Sequence, residues 1–248
     1  MSEQVTWQEK VAAVGWPFWA GVVFFFWVII GLVWLIEYVG NWLIDENQLP
    51  VKEIVVHGTQ NYVVKKDVIN ALESQMQQSF FTLDVNQAQL HLESLAWVYS
   101  ASVRKEWPNR LKIYLTEQKP VAHWNGDFFI NEFGDVFQAE QDRLLQPLSW
   151  LYGPEGDEKS ALNTYTQLAE LMKLYDIDMT ELSLSERHAL SITLANGVKL
   201  RLGREDWLNR SKRFLQHYQM LMQKHELAYV DLRYDTGFAI GVKHENNK

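Results

Sequence analysis

From Val11 to Ile36 the chain reads VAAVGWPFWAGVVFFFWVIIGLVWLI, without one charged side chain. Nothing else in the sequence restricts the fold as much. A helix opening with Pro17 at its first position and running to Ile36 rises about 30 Å at about 1.5 Å per residue, the thickness of a bilayer's hydrocarbon core. A cleaved secretion signal has an apolar core of only about 7–15 residues and a small-residue cleavage site. A buried helix of a soluble domain is seldom apolar all the way round. Residues 11–36 are therefore expected to span a membrane. Lys10 precedes the span, whereas Glu37, Asp45 and Glu46 follow it before the first base at Lys52. The bias of positive charge toward the cytoplasm then keeps residues 1–10 inside and exports the bulk, with Trp16, Trp19, Trp34 and Trp42 at headgroup level.

Beyond a connector over residues 37–50, the patterning changes from continuous to periodic. Lys52 to His57 predicts a strand. Asp67 is placed to cap a helix carrying Val68, Ile69, Leu72 and Met76, and Asp84 a second one carrying Ala88, His91, Leu92 and Leu95. Val98 to Glu106 and Leu111 to Glu117 alternate with a period of two around Trp107-Pro108, which marks a hairpin. This β-α-α-β-β order can close a core only with both helices on one face of a small sheet. After Pro120 come a β-meander turning at Asn125-Gly126 and at Phe133-Gly134-Asp135, and a helix over about 160–175. A hairpin follows with a type I′ turn at Asn196-Gly197, then a helix over about 206–225, and a last alternating run, Phe238 to Val242, before a polar tail at 244–248.

The formal charge of −8 argues against a nucleic-acid partner, because phosphate binding needs a basic face. With no cysteine, thiolate metal sites, disulfides and thiol nucleophiles are all excluded. Asp235-Thr236-Gly237 imitates the aspartic-protease triplet, but that chemistry needs two aspartates sharing a proton, and Arg233-Tyr234 stands where an apolar pair belongs. A glycine in a three-residue hairpin connection explains the triplet more simply. His217 and His225 lie about 12 Å apart along one helix and cannot share an ion, and Asp176 and Asp178 read as solvated or capping groups. No catalytic, metal or cofactor site is expected. Phe238 to Val242 has only a polar tail behind it, and a terminal strand of this kind can form a sheet edge that accepts a partner's strand or can pair internally; pattern alone leaves both open.

The segments SVRKEWPNRLKIYLTEQKPVAHWN, PLSWLYGPEG, LANGVKLRLGR and YVDLRYDTGFAIG, in that order behind one amino-terminal span, resemble the FtsQ/DivIB family of bacterial cell-division proteins. The resemblance implies an α+β chain: a single N-terminal transmembrane helix, a POTRA domain (βααββ) over 51–117, and a mixed β-domain over 118–243 with an antiparallel sheet and two main helices. It also implies a single-pass type II protein of the inner membrane at the division septum, with its bulk in the periplasm. As the family does, such a protein would recruit FtsB with FtsL, which govern FtsW and FtsI, the septal peptidoglycan synthases. In the family FtsB adds a strand to the last strand of the β-domain. The matching positions here are Tyr234, Thr236 and Gly237, with Phe238 and Ala239 opening the docking strand, and Arg187 as an arginine that pairs with acidic residues of FtsB. Phe238 stands where better-known relatives have a small residue and Val242 where they have Trp, so the side-chain pockets are expected to differ. Resemblance further assigns the POTRA domain to recruitment, through a surface including Arg104, Lys105 and Lys112. The alternative is a membrane-anchored POTRA chaperone or transport accessory protein, which usually brings a barrel or more POTRA copies.

Overall fold

The computed structural model describes residues 16–45, 50–58 and 61–243. The expected cytoplasmic tail, residues 11–15 of the span, Glu46 and the polar tail lie outside the described residues. The chain folds into two compact units. The first holds residues up to 58 together with 65–93 and 100–115; the second holds 59–64, 94–99 and 116 onward.

In the first unit, helix α1 (Trp16–Ile44) is long and apolar enough to cross a membrane, and none of its residues is buried by protein. It runs past Ile36, so most of the stretch expected as connector is helical, because Glu37 and Asn41 do not interrupt backbone hydrogen bonding. Strand β1 (Glu53–His57), helix α2 (Lys65–Met76), helix α3 (Val85–Glu93), strand β2 (Val98–Glu106) and strand β3 (Arg110–Glu117) follow. The sheet order is β1-β3-β2, with β1 parallel to β3 in the register Ile54 to Leu111 and Val56 to Ile113. Ala101, Val103, Leu111, Ile113 and Leu115 are buried, as are Val68 and Leu72 of α2 and Ala88 and Leu92 of α3. Asp84 caps α3, its carboxylate accepting from the Asn86 N–H at 2.8 Å. Asp67 instead falls inside the first turn of α2, where a carboxylate still suits the helix dipole. The turn of the β2–β3 hairpin contains a cis Trp107–Pro108 peptide.

The second unit is built on a nine-stranded sheet. Its members are β4 (Pro120–Trp124), β5 (Phe128–Asn131), β6 (Val136–Phe137), β7 (Ser149–Tyr152), β8 (Met179–Leu184), β9 (Leu190–Leu194), β10 (Lys199–Gly203), β11 (Leu227–Asp231) and β12 (Ala239–Val242). They are ordered β12-β11-β10-β9-β8-β7-β4-β5-β6. The sheet is mixed: β4 and β7, β7 and β8, and β10 and β11 pair parallel. Each of these pairings requires a crossover: α4 (Glu158–Lys173) supplies it between β7 and β8 and α5 (Trp207–Lys224) between β10 and β11, while β4 reaches β7 through β5, β6 and the segment after them. Leu162, Leu168 and Met172 of α4 and Phe214, Leu215 and Leu221 of α5 share one core with Ala122, Leu151, Leu182, Ile192, Leu200 and Val230 of the sheet. Tyr175 falls beyond the end of α4, in the turn that leads to β8.

The other sheet face carries a run of rings. His123 stacks on Trp150 at 3.9 Å and lies 4.9 Å from Phe129, which adjoins Trp97 and Phe137, and Trp97 stacks on Tyr62 at 4.4 Å. Beside it the buried Glu117 carboxylate accepts from the backbone N–H groups of Asn61, Tyr62 and Val63 at 2.9, 2.9 and 2.7 Å. At Asn196-Gly197 the expected type I′ turn is not formed. Gly197 has a positive φ of 84°, Asn196 does not, and the Leu194 N–H donates to the Val198 carbonyl around a three-residue loop. A glycine in the left-handed region is what that loop requires.

Candidate functional site

Strand order puts β12 at one end of the sheet, with a neighbour on one side only among the described residues. It runs antiparallel to β11, pairing Asp231 with Ala239, Val230 with Ile240, Tyr229 with Gly241 and Leu227 with Val242. An edge strand offers a row of outward N–H and C=O groups that another strand can pair. Its side chains divide by parity: Ile240, with the preceding Phe238, packs against the core, and Ala239 is exposed. Gly241 is a matter of space. A Cβ there would sit 2.1 Å from Cε1 of Tyr229, whose ring lies across it, with the Arg201 guanidinium 4.9 Å from the ring centroid.

The segment between β11 and β12 spans 232–238, longer than the three-residue connection expected, and α5 holds it. The Arg213 guanidinium donates to the carbonyls of Asp235 at 2.7 Å, Tyr234 at 2.7 Å, Gly237 at 3.1 Å and Leu232 at 3.4 Å. Its planar fork fits such a ring of acceptors where a lysine could not. Arg210 reaches the Leu202 carbonyl at 2.8 Å and lies 3.8 Å from the Asp235 carboxylate, which is itself 94% exposed. At the end of β11, Asp231 takes Nε and Nη2 of Arg233 at 2.9 and 2.6 Å, and this pairing holds its carboxyl below the usual aspartate range. The His217 ring Nδ1 bonds the Arg213 carbonyl at 2.9 Å, and the ring meets Phe238 edge-on at 6.1 Å. Tyr234 is exposed; Thr236 lies at the loop's tip, also exposed.

The structure therefore brings Tyr234, Thr236, Gly237, Phe238 and Ala239 together. Arg187 sits elsewhere, in the 185–189 connection between β8 and β9, organised by Ser185, whose hydroxyl accepts from the Ala189 N–H at 3.0 Å. Beside it His188 pairs with Asp157 at 3.2 Å. The strand directions put this connection at the same end of the sheet as the 232–238 loop, but β9 and β12 are three steps apart, roughly 14 Å at about 4.8 Å per step. A single strand beside β12 would not reach Arg187.

Arg104, Lys105 and Lys112 do not share one face. Lys105 has the parity of buried Val103 and sits on the helix side, donating to the Phe81 carbonyl at 2.9 Å and lying 5.6 Å from the Phe80 ring centre. Burial pushes its pKa down, and Asp84 partly opposes this. Lys112 is on the opposite face in a 2.6 Å ion pair with Glu106, which raises its pKa, and Arg104 lies 5.8 Å from the Tyr114 ring centre on that face. Among the described residues no group of three or more His, Cys, Asp or Glu side chains converges as a metal site.

Arg213, Asp231, Arg233 and Tyr229, which shape the edge, are not evident from sequence reasoning. An arginine on the polar side of an amphipathic helix gives no signal until the loop it holds is in place. The Tyr229–Gly241 pair becomes recognisable, as an aromatic covering a strand glycine, only once β11 and β12 are known to be neighbours.

Comparison with known proteins agrees with this architecture. Residues 49–118 match the family model for the POTRA domain, FtsQ-type, and residues 122–233 match that for the cell division protein FtsQ/DivIB, C-terminal. The chain is similar to the cell division protein FtsQ of Shewanella oneidensis, 41% identical over 95% of this chain and 90% of the relative. Its counterpart from Aliivibrio fischeri is 35% identical over 91% and 89%, and that from Escherichia coli K12 is 34% identical over 90% and 83%. With a POTRA fold, a mixed sheet covered by two helices and this likeness along nearly its whole length, the chain belongs to the FtsQ/DivIB family of cell division proteins.

Proposed function

We propose that this chain is a non-enzymatic scaffold of the division apparatus, anchored in the inner membrane by α1, with the part of the first unit that follows this helix and the whole second unit in the periplasm. It takes up FtsB, together with FtsL, by strand addition on β12, and so links early division proteins to septal peptidoglycan synthesis by FtsW and FtsI. The observation that carries this reading is the outer edge of β12, one-sided in the sheet and preceded by a loop that Arg213 fixes by four carbonyls. A pre-ordered edge lowers the entropy cost of adding a strand. Main-chain pairing tolerates side-chain change, so the exposed Val242 selects a partner strand recut to match it, while half-buried Phe238, packed against the core, shapes the edge from within. Arg187 meets an acidic residue of the partner outside the added strand.

The test is capture of the organism's own FtsB–FtsL by the full-length chain in detergent. Val242→Asp puts a carboxylate on an exposed position of the edge strand, and Tyr234→Ala removes the exposed ring at the mouth of the edge; each is expected to weaken capture by about tenfold or more. Undiminished capture by both variants refutes strand addition at β12.

A further inference from the structure

We propose that the loop Ser79–Thr82 of the first unit rests on the bilayer surface, with the Phe81 ring among the lipid headgroups. The inference depends on α1 spanning the membrane and concerns a part of the chain with no role in the β12 edge.

Helix α1 has 29 residues and a length of about 43 Å, against about 30 Å of hydrocarbon. Its first charged residue among those described is Glu37, which marks the hydrocarbon boundary. From Glu37 to Leu43 the helix climbs about 9 Å, whereas the headgroup layer adds only about 5–7 Å on each side. Exposed aromatics continue through this stretch: Trp34 stacks on Tyr38 at 5.6 Å, and Trp42 follows four residues on. Such residues occupy the membrane–water interface. The end of α1 is thus at headgroup level or just above it.

The loop is fastened to that end. The Ser79 hydroxyl donates to the Leu43 carbonyl, one of the terminal acceptors a helix leaves unpaired, and Pro50 forms an isolated bridge with Ser79. Ser79 also organises the loop, its hydroxyl accepting from the Phe81 N–H at 3.3 Å and its carbonyl from the Thr82 hydroxyl at 3.2 Å. Helix end and loop belong to the same compact unit. Of the paired rings, Phe80 is buried and Phe81 is 47% exposed. The Lys105 ammonium on the Phe81 carbonyl puts a cation at the loop that bears the exposed ring. An exposed aromatic beside a cation suits a headgroup contact, and Asp84 close by limits the charge contribution, leaving Phe81 as the main anchor. A soluble protein is a poorer occupant, because the adjoining helix end already stands in the interface.

The absence of cysteine lets one introduced thiol carry a unique probe. Full-length protein with a nitrobenzoxadiazole label at Phe81→Cys, Trp42→Cys or Leu174→Cys is reconstituted into 3:1 phosphatidylethanolamine–phosphatidylglycerol vesicles doped with a headgroup-nitroxide lipid. Leu174 is 79% exposed and lies in the second unit. Quenching at 81 is expected to approach that at 42 and to exceed that at 174 about threefold. In a second arm the probe sits at Thr82→Cys, and adding Phe81→Ser should bring its quenching down to the level at 174, which shows that the native ring and not the dye makes the contact. Quenching at 42 but not at 81, or a Thr82 probe indifferent to Phe81→Ser, overturns the contact and leaves the span intact. No quenching at either 42 or 81 overturns the span reading, and the contact with it.

Discussion

Replacing Arg213 tests whether the 232–238 loop is ordered by one side chain. Three of its bonds, to Asp235, Tyr234 and Gly237, are 3.1 Å or shorter; the fourth, to Leu232, is too long at 3.4 Å to count fully. A hydrogen bond to a charged group contributes about 1.5–3 kcal/mol where the partner would otherwise be buried. These carbonyls are partly exposed and regain water when the arginine is removed, so about 1 kcal/mol each is the fairer figure, or about 3 kcal/mol of local stability in Arg213→Ala. At about 1.4 kcal/mol per tenfold, amide exchange through 232–242 should quicken by about two orders of magnitude. Strands β8 and β9, whose ladders do not involve Arg213, should change far less. Arg213→Lys, which keeps the charge and loses the fork, should fall between, since one ammonium cannot span three diverging acceptors. Exchange mass spectrometry resolves the two regions. If exchange in 232–242 is unaltered in Arg213→Ala, or if the entire sheet loosens equally, the loop is ordered by something else and the argument fails.

Two further outcomes follow from the same sheet. Gly241→Ala must drive the Tyr229 ring off the strand and away from Arg201, costing about 1–2 kcal/mol by chemical denaturation; in a Tyr229→Ala background that cost should largely vanish, and its persistence would point to the backbone instead. His123, buried between Trp150 and Phe129 with no hydrogen-bond partner for Nδ1 among the described residues, has its pKa pushed below 6.5 by desolvation. The unfolded chain then takes up a proton that the folded one refuses. Stability is fully present above pH 6.5 and declines as pH falls below it, by at most about 1.4 kcal/mol per unit until the folded pKa is reached. Melting temperatures between pH 7.5 and 5.5 should show a drop that His123→Phe reduces, and parallel profiles would disprove it.

Local periodicity carries much of this fold into view. The βααββ order, both later helices and the hairpins can be read because each depends on neighbours in sequence. What escapes such reading are relations between distant segments. The parallel pairings of β4 with β7 and of β10 with β11 join strands separated by other structure, and no local pattern encodes which strands meet. A boundary at Ile36 falls short of the helix because charge marks where hydrocarbon ends and not where a helix does; α1 continues to Ile44. At the edge, the run Phe238 to Val242 is legible as a strand from its alternation, although regular pairing begins at Ala239. Its place at the sheet margin depends on the order of nine strands. The three basic residues of the first unit look alike as letters, yet Lys105 turns toward the helices while Lys112 spends its charge on Glu106.

The Glu117 carboxylate and the Trp97 ring bear on how this chain can be divided. Residues 61–63 hang on that carboxylate, and Phe129 and Phe137 are roofed by an indole from an earlier stretch of chain. A piece beginning at residue 118 would leave those phenyl rings wet and prone to self-association. Severing at the seam between the two family segments thus cuts through masonry, and a workable excision must carry the preceding segment along.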